Sequence, residues 1–191
     1  MFIRSWKTDI FTIPNLLSLF RLVLVPVYVY LYWNAREAIQ YYTAGIIMAV
    51  SCITDAVDGM IARHFNMIST LGKILDPLAD KVTQFALTLC LSFRYPVLIP
   101  VLLLFVVKEV FQAVLGAIYL YRGKMLPGAL MAGKVCTTVL FISLITLVLF
   151  PDMHPAAVEA IALTDGFFLL ISFLSYFLAY FGKHTAVQDL D

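Results

Sequence analysis

The sequence predicts an all-α integral membrane protein of six transmembrane helices, preceded by a short helix lying in the membrane interface. Three observations predict it. Apolar residues make up 62% of the 191 positions and charged residues only 13%. A soluble domain carries roughly 25% charged residues, so lipid must solvate much of this surface. The apolar residues also gather into runs of the roughly 20 residues that a helix needs to cross the hydrocarbon core. Finally, polar or helix-breaking residues punctuate the runs at regular intervals.

The expected spans are residues 14–33, 38–63, 70–92, 96–121, 128–150 and 156–182, forming one membrane domain over residues 1–191. Asn34 to Glu37 separates the first pair, and Arg94-Tyr95-Pro96 the third span from the fourth. Arg122-Gly123-Lys124 and Pro127-Gly128 precede the fifth span, and Pro151 to Pro155 precedes the sixth. Pro26 and Pro100 fall inside spans and are expected to bend them, which neighbouring helices can tolerate. Residues 1–13 mix Phe2, Ile3, Trp6, Ile10 and Phe11 with Arg4, Lys7 and Asp9, the composition of an interfacial helix. The first apolar run has no small-residue cleavage site and reads as a retained span.

Loop cations set the orientation. Arg4, Lys7, Arg63, Lys73, Arg122, Lys124 and Lys183 fall on one side, against Arg36 and Arg94 on the other. The first side is expected to be cytoplasmic, with both termini inside the cell membrane, as an even number of spans requires. A net charge of +1 gives no basic excess to suggest nucleic acid. Cys52, Cys90 and Cys136 lie singly in apolar runs, with no metal-ligand spacing and no disulfide frame.

Chemistry concentrates between Asp55 and Asp80. The stretch reads Asp55-x2-Asp58-Gly59-x2-Ala62-Arg63-x8-Gly72-x3-Asp76-x3-Asp80. At helical spacing, Asp55, Asp58, Gly59, Ala62 and Arg63 share one face within about 140° of arc. Gly72, Asp76 and Asp80 form a stripe on the next helix. The connection between the helices is short, so they should be antiparallel neighbours with the carboxylates converging at one end. Each charge costs ~2.5–3.5 kcal/mol at membrane depth. Ion pairs with Arg63, Lys73 and Lys81 are the bland account of these carboxylates. The stronger account is that divalent cations neutralise them: oxygen ligands without Cys or His suit Mg²⁺ or Mn²⁺. Two such ions bridged by carboxylates are a recurring device for displacement at phosphorus. Gly59 and Ala62 leave room for a phosphate or a flat group, and Arg63 can bind phosphate bidentately.

This pattern resembles the signature of the CDP-alcohol phosphotransferases (phosphatidyltransferases) at every specified position. The resemblance runs along nearly the whole chain. Ile13-Pro14-Asn15-Leu16-Leu17-Ser18-Leu19-Phe20-Arg21, Leu75-Asp76-Pro77-Leu78-Ala79-Asp80-Lys81 and Gly133-Lys134-Val135-x-Thr137 are most similar to the bacterial phosphatidylglycerophosphate synthases of that family. The resemblance implies a six-helix fold, a homodimer and a two-metal site. It implies Asp55, Asp58, Asp76 and Asp80 as metal ligands, Asp80 also as the general base, and Gly59, Ala62, Arg63 and Gly72 around the CDP group. The expected donor is CDP-diacylglycerol and the expected acceptor glycerol 3-phosphate. Candidate acceptor-binding residues are Lys108, Arg122, Lys124, Lys134 and Thr137, with Arg21 and Lys81 as further cations. Lys108 with Glu109 could equally be a packing ion pair, and Lys134 a lysine reaching for the interface.

Some positions depart from the synthase pattern. Val107-Lys108-Glu109 stands where those enzymes carry Ala-Arg-Glu, Gly116 where they carry a second Arg, and Cys136 where Lys is frequent. Fewer phosphate-binding cations raise cardiolipin synthesis, with phosphatidylglycerol as acceptor, to the second reading. A divalent cation transporter is the reading from another class. A midplane site and inverted repeats would favour it, but the carboxylates lie toward one end and no repeat is evident.

Overall fold

The computed structural model of the chain describes residues 13–37, 39–51, 72–125, 130–181 and 188–189. These residues are almost wholly helical. α1 runs Ile13–Asn34 and α2 covers residues 39–51. α3 runs Gly72–Arg94, and the 3₁₀ turn Pro96–Leu98 leads into α4, Ile99–Tyr121. α5 is Met131–Leu149 and α6 is Pro155–Phe181. A two-residue ribbon pairs β1 (Lys124–Met125) antiparallel with β2 (Gln188–Asp189).

Four described segments are long and apolar enough to cross a bilayer: Asn15–Asn34, Pro96–Tyr121, Met131–Leu149 and Pro155–Phe181. The fold is that of a multi-pass membrane protein. α3 is of spanning length at 23 residues, but it carries Asp76, Asp80, Lys81 and Arg94. The expected second span is helical over residues 39–51, and the rest of it lies outside the described residues. So do residues 1–12 of the interfacial segment expected over residues 1–13, whose last residue, Ile13, opens α1. Pro100 was expected to bend its span, but it sits in the first turn of α4. The N–H that proline lacks has no intrahelical acceptor there, so it initiates the helix rather than interrupting it. Pro26 and Pro77 are the interior prolines of the described helices. At Pro77 the carbonyl of residue 73 loses its usual i+4 donor.

The chain divides into two compact units. The first comprises residues 1–90 and 145–151. Its organising helix is α1, whose buried seam is Asn15, Ser18, Arg21, Val25, Tyr28 and Tyr32. The seam follows helical periodicity, polar over its first half and apolar or aromatic over its second. Tyr32 meets Tyr28 at 5.6 Å and the edge of Tyr41 at 5.1 Å between ring centroids. α2 buries Ala44, Met48 and Ser51. A Cβ at Gly45 would come within 2.8 Å of Val148 Cγ1 and 3.3 Å of the Val148 carbonyl oxygen. α2 therefore lies close against the end of α5, an approach that small residues make possible.

The second unit comprises residues 91–144 and 152–191. α4 packs along α6. Phe111 meets Phe173 at 4.9 Å, and the Tyr119 hydroxyl donates to the Tyr180 carbonyl at 3.0 Å. Residue numbers rise together along the contact, so α4 and α6 run parallel. α5 closes on α6 at Gly133, where a Cβ would lie 2.8 Å from the Tyr176 hydroxyl. That hydroxyl accepts the Leu130 N–H at 3.3 Å. Gly123 ends α4 at a φ of +70°, the left-handed conformation that glycine adopts at a helix C-terminus without a Cβ penalty.

Candidate active site

Within the first unit, α1 and α3 bring a polar cluster together near their N-terminal ends. Asp76 and Asp80 are one helical turn apart on α3, so their carboxylates share a face. α1 meets that face with the polar half of its seam. Ser18 Oγ donates a short hydrogen bond to Asp76 Oδ1. Arg21 Nη1 donates to Asp80 Oδ1 at 2.6 Å, a charge-assisted bond at the short end of the range. Asn15 and Ser18 are fully buried and the Arg21 side chain is 3% exposed, whereas Asp80 is 39% exposed. The arginine is thus the fixed partner and the carboxylate the one that reaches solvent.

The polar stripe of α3 continues through Gln84 and Thr88, both buried, with Thr88 Oγ1 donating to the Gln84 carbonyl at 2.7 Å. Further along the same two helices the chemistry turns apolar. Val25, Val29 and Trp33 of α1 and Phe85, Ala86 and Leu89 of α3 line an open groove of about 700 Å³. One helical turn separates Arg21 from Val25, so the groove begins where the polar cluster ends.

The donor set fits a divalent cation. Asp76 and Asp80 offer hard carboxylate oxygens on adjacent turns, each with Oδ1 held from α1. Among the described residues these two do not by themselves complete a metal-ligating cluster. Asp55, Asp58, Gly59, Ala62 and Arg63 lie outside the described residues, and Gly72 is described only as the first residue of α3.

The candidate acceptor residues belong to the second unit. Lys108 is buried in α4, its Nζ 2.6 Å from Glu109 Oε1 and 5.9 Å from the centre of the Tyr176 ring. The packing ion pair is therefore present. Lys134 is exposed in the first turn of α5, and Thr137, also exposed, donates its hydroxyl to the Gly133 carbonyl at 2.8 Å. Arg122, which caps the end of α4, and Lys124 of β1 are exposed.

Sequence reasoning counted Arg21 only as a spare cation and passed over Asn15 and Ser18. The signal was there. Residues 15, 18 and 21 are the polar members of an otherwise apolar span, three residues apart and hence on one face. Asp165 was also missed. It is fully buried in α6 with the Ser143 hydroxyl beside it. A lone carboxylate in an apolar run has no spacing pattern that names its partner.

This is a multi-pass helical membrane protein in which paired carboxylates on one helix, held by a serine and an arginine from another, adjoin an apolar groove. The chain belongs to the CDP-alcohol phosphatidyltransferase family, whose model matches residues 11–178. It is accordingly a transferase. A CDP-diacylglycerol–glycerol-3-phosphate 3-phosphatidyltransferase of Aquifex aeolicus is 37% identical over 133 residues, 69% of this chain and 71% of that protein. A probable phosphatidylglycerophosphate synthase of Mycobacterium tuberculosis is 34% identical over 160 residues, 82% of this chain and 76% of that one. A fusion protein of Schizosaccharomyces pombe, a CMP-forming cardiolipin synthase joined to a mitochondrial hydrolase, is 38% identical over 126 residues, 65% of this chain. The match spans only 20% of that fusion's length.

Proposed function

We propose that the chain transfers the phosphatidyl group of CDP-diacylglycerol to glycerol 3-phosphate, forming phosphatidylglycerophosphate and CMP. The observation that carries the reading is the placement of Asp76 and Asp80 on α3 against Ser18 and Arg21 of α1. The names of the Aquifex and Mycobacterium relatives support the acceptor.

The residues divide the work. Asp76 and Asp80, with Asp55 and Asp58, hold Mg²⁺ or Mn²⁺, on which this family generally depends. Bound there, the cations would supply Lewis acidity at the pyrophosphate. Ser18 and Arg21 fix the rotamers of Asp76 and Asp80, so the second oxygen of each carboxylate keeps a set direction. Gly59, Ala62, Arg63 and Gly72 surround the CDP group. The acceptor hydroxyl attacks the phosphorus that bears diacylglycerol, and the bond from that phosphorus to CMP breaks. Asp80 accepts the hydroxyl proton and then releases it to water. Its exposure suits that exchange. The apolar groove between α1 and α3 offers acyl chains a surface continuous with the polar cluster.

Lys134, Thr137, Arg122 and Lys124 receive the acceptor phosphate. Lys108 joins them by exchanging Glu109 for the phosphate, both being charge-assisted partners. The active form is a homodimer with six spans per protomer, an interfacial N-terminal helix and both termini on the cytoplasmic side.

Cardiolipin synthesis is the second reading, favoured by the fission-yeast fusion and by Gly116 and Cys136 where the synthases carry cations. Purified protein in detergent with labelled CDP-diacylglycerol separates the two. Release of CMP with glycerol 3-phosphate, giving phosphatidylglycerophosphate, is the expected result. Cardiolipin formed from phosphatidylglycerol, with glycerol 3-phosphate inert, would establish the second reading instead. CMP release with neither acceptor would refute both.

A further inference from the structure

The second unit carries a cleft that the transfer chemistry does not use. It measures about 270 Å³ and lies between the turn that follows α3 and the first turn of α6. We propose that this cleft binds the headgroup of a zwitterionic aminophospholipid, with Arg94 taking the phosphodiester and Glu159 the primary ammonium.

Its position is that of a lipid headgroup. Arg94 is the last residue of α3, whose first turns carry Asp76 and Asp80. The apolar spans Pro96–Tyr121 and Pro155–Phe181 both begin at the cleft, which therefore opens at the membrane interface. Its floor is apolar, formed by Pro96, Val97 and the buried Val158, which suits the glycerol and upper acyl region of a lipid.

Charge selects the headgroup. Arg94 lies over the ring of Tyr95, 5.7 Å from its centre, and reaches Asp152 at 3.6 Å. That ion pair is long, and Asp152 is 74% exposed, so it is weak. A phosphodiester can take the guanidinium bidentately and outcompete it. Two carboxylates, Asp152 and Glu159, then stand beside one arginine. The excess is negative, which disfavours an anionic headgroup and suits a ligand with a cation beside its phosphate. A primary ammonium donates charge-assisted hydrogen bonds to those carboxylates; a quaternary ammonium has no N–H to donate.

Native mass spectrometry and thermal unfolding of the detergent-purified full chain test the proposal, with phosphatidylethanolamine, phosphatidylglycerol or phosphatidylcholine added at equal concentration. Phosphatidylethanolamine should be retained and should raise Tm, more than the other two lipids do. Arg94→Gln and the exposed Glu159→Gln should each lower that retention roughly tenfold while keeping the lipid-free Tm. Phosphatidylglycerol or phosphatidylcholine bound as tightly as phosphatidylethanolamine would overturn the assignment. So would undiminished phosphatidylethanolamine retention in both variants, or no retention of any lipid. None of these readouts involves CMP release, so they stand apart from the proposed transferase assay.

Discussion

Arg21 and Ser18 hold the two carboxylates of α3 from a helix that carries little other polarity in its span. A buried charge-assisted hydrogen bond contributes about 1.5–3 kcal/mol. If that energy goes into aiming Asp80, its loss should appear in turnover. Arg21→Gln is expected to lower the rate of CMP release tenfold to hundredfold, and Arg21→Lys to restore part of it, since lysine keeps the charge but not the planar fork. The KM for CDP-diacylglycerol should change less than kcat. A variant that loses nucleotide affinity and turnover equally would show that Arg21 binds substrate instead. Asp76→Asn should nearly abolish CMP release, with circular dichroism unchanged; full activity in this variant, or in excess chelator, would remove the metal site. At this scale the sequence was legible wherever spacing and charge coincide. That Asp76 and Asp80 share a helix face was plain from their i, i+4 spacing. Arg21 was ambiguous because any of several cations could reach the same place, and only packing decides which one does.

The helix ends that have described residues beyond them, at Asn34, Arg94, Tyr121 and Leu149, fall within two residues of the expected ends, since they follow apolar run length and punctuation. The errors have physical causes. Pro100 was read as a kink because its position relative to the helix start could not be known; a turn further into the helix the same proline would remove a hydrogen bond. α3 ends at Arg94 rather than at residue 92, because a basic residue in the last turn suits a helix C-terminus and so falls inside the helix instead of ending it. Close helix approach was not readable either. Nine glycines occur in the chain, yet Gly45 and Gly133 are two whose Cβ would intrude on a neighbouring side chain below 3 Å. This gives a prediction for α2. Gly45→Ala should destabilise the detergent-solubilised protein, by about 1–3 kcal/mol for overpacking. Val148→Ala should cost on its own through the cavity it leaves, but much less in the Gly45→Ala background, because it removes the Cγ1 that the new methyl would strike. Additive losses in a double-mutant cycle of unfolding free energies would contradict the contact.

For the whole molecule the open question is which face of the membrane the carboxylates meet. Counted along the sequence, the loop cations argue for the cytoplasm: alternating spans would group Arg63, Lys73, Arg122 and Lys124 on one side and Arg36 and Arg94 on the other. The proposed substrates argue the same way. A nucleotide-activated lipid and a phosphorylated triol are both too polar to cross the bilayer, so chemistry on them belongs on the face where they are made. The described cysteines Cys90 and Cys136 are buried and should be silent to aqueous thiol reagents, but all three native cysteines are best replaced before labelling. In that background, Asn66→Cys should resist a membrane-impermeant maleimide applied to intact cells and react once the membrane is opened. His154→Cys, in the exposed turn before α6, should react from outside in intact cells. The paired outcome matters because a chain that failed to insert would expose both positions alike. The reverse pattern, Asn66→Cys labelled and His154→Cys protected in intact cells, would turn the protein over. The carboxylates would then face away from the nucleotide, and the proposed reaction could not draw on a cytoplasmic donor.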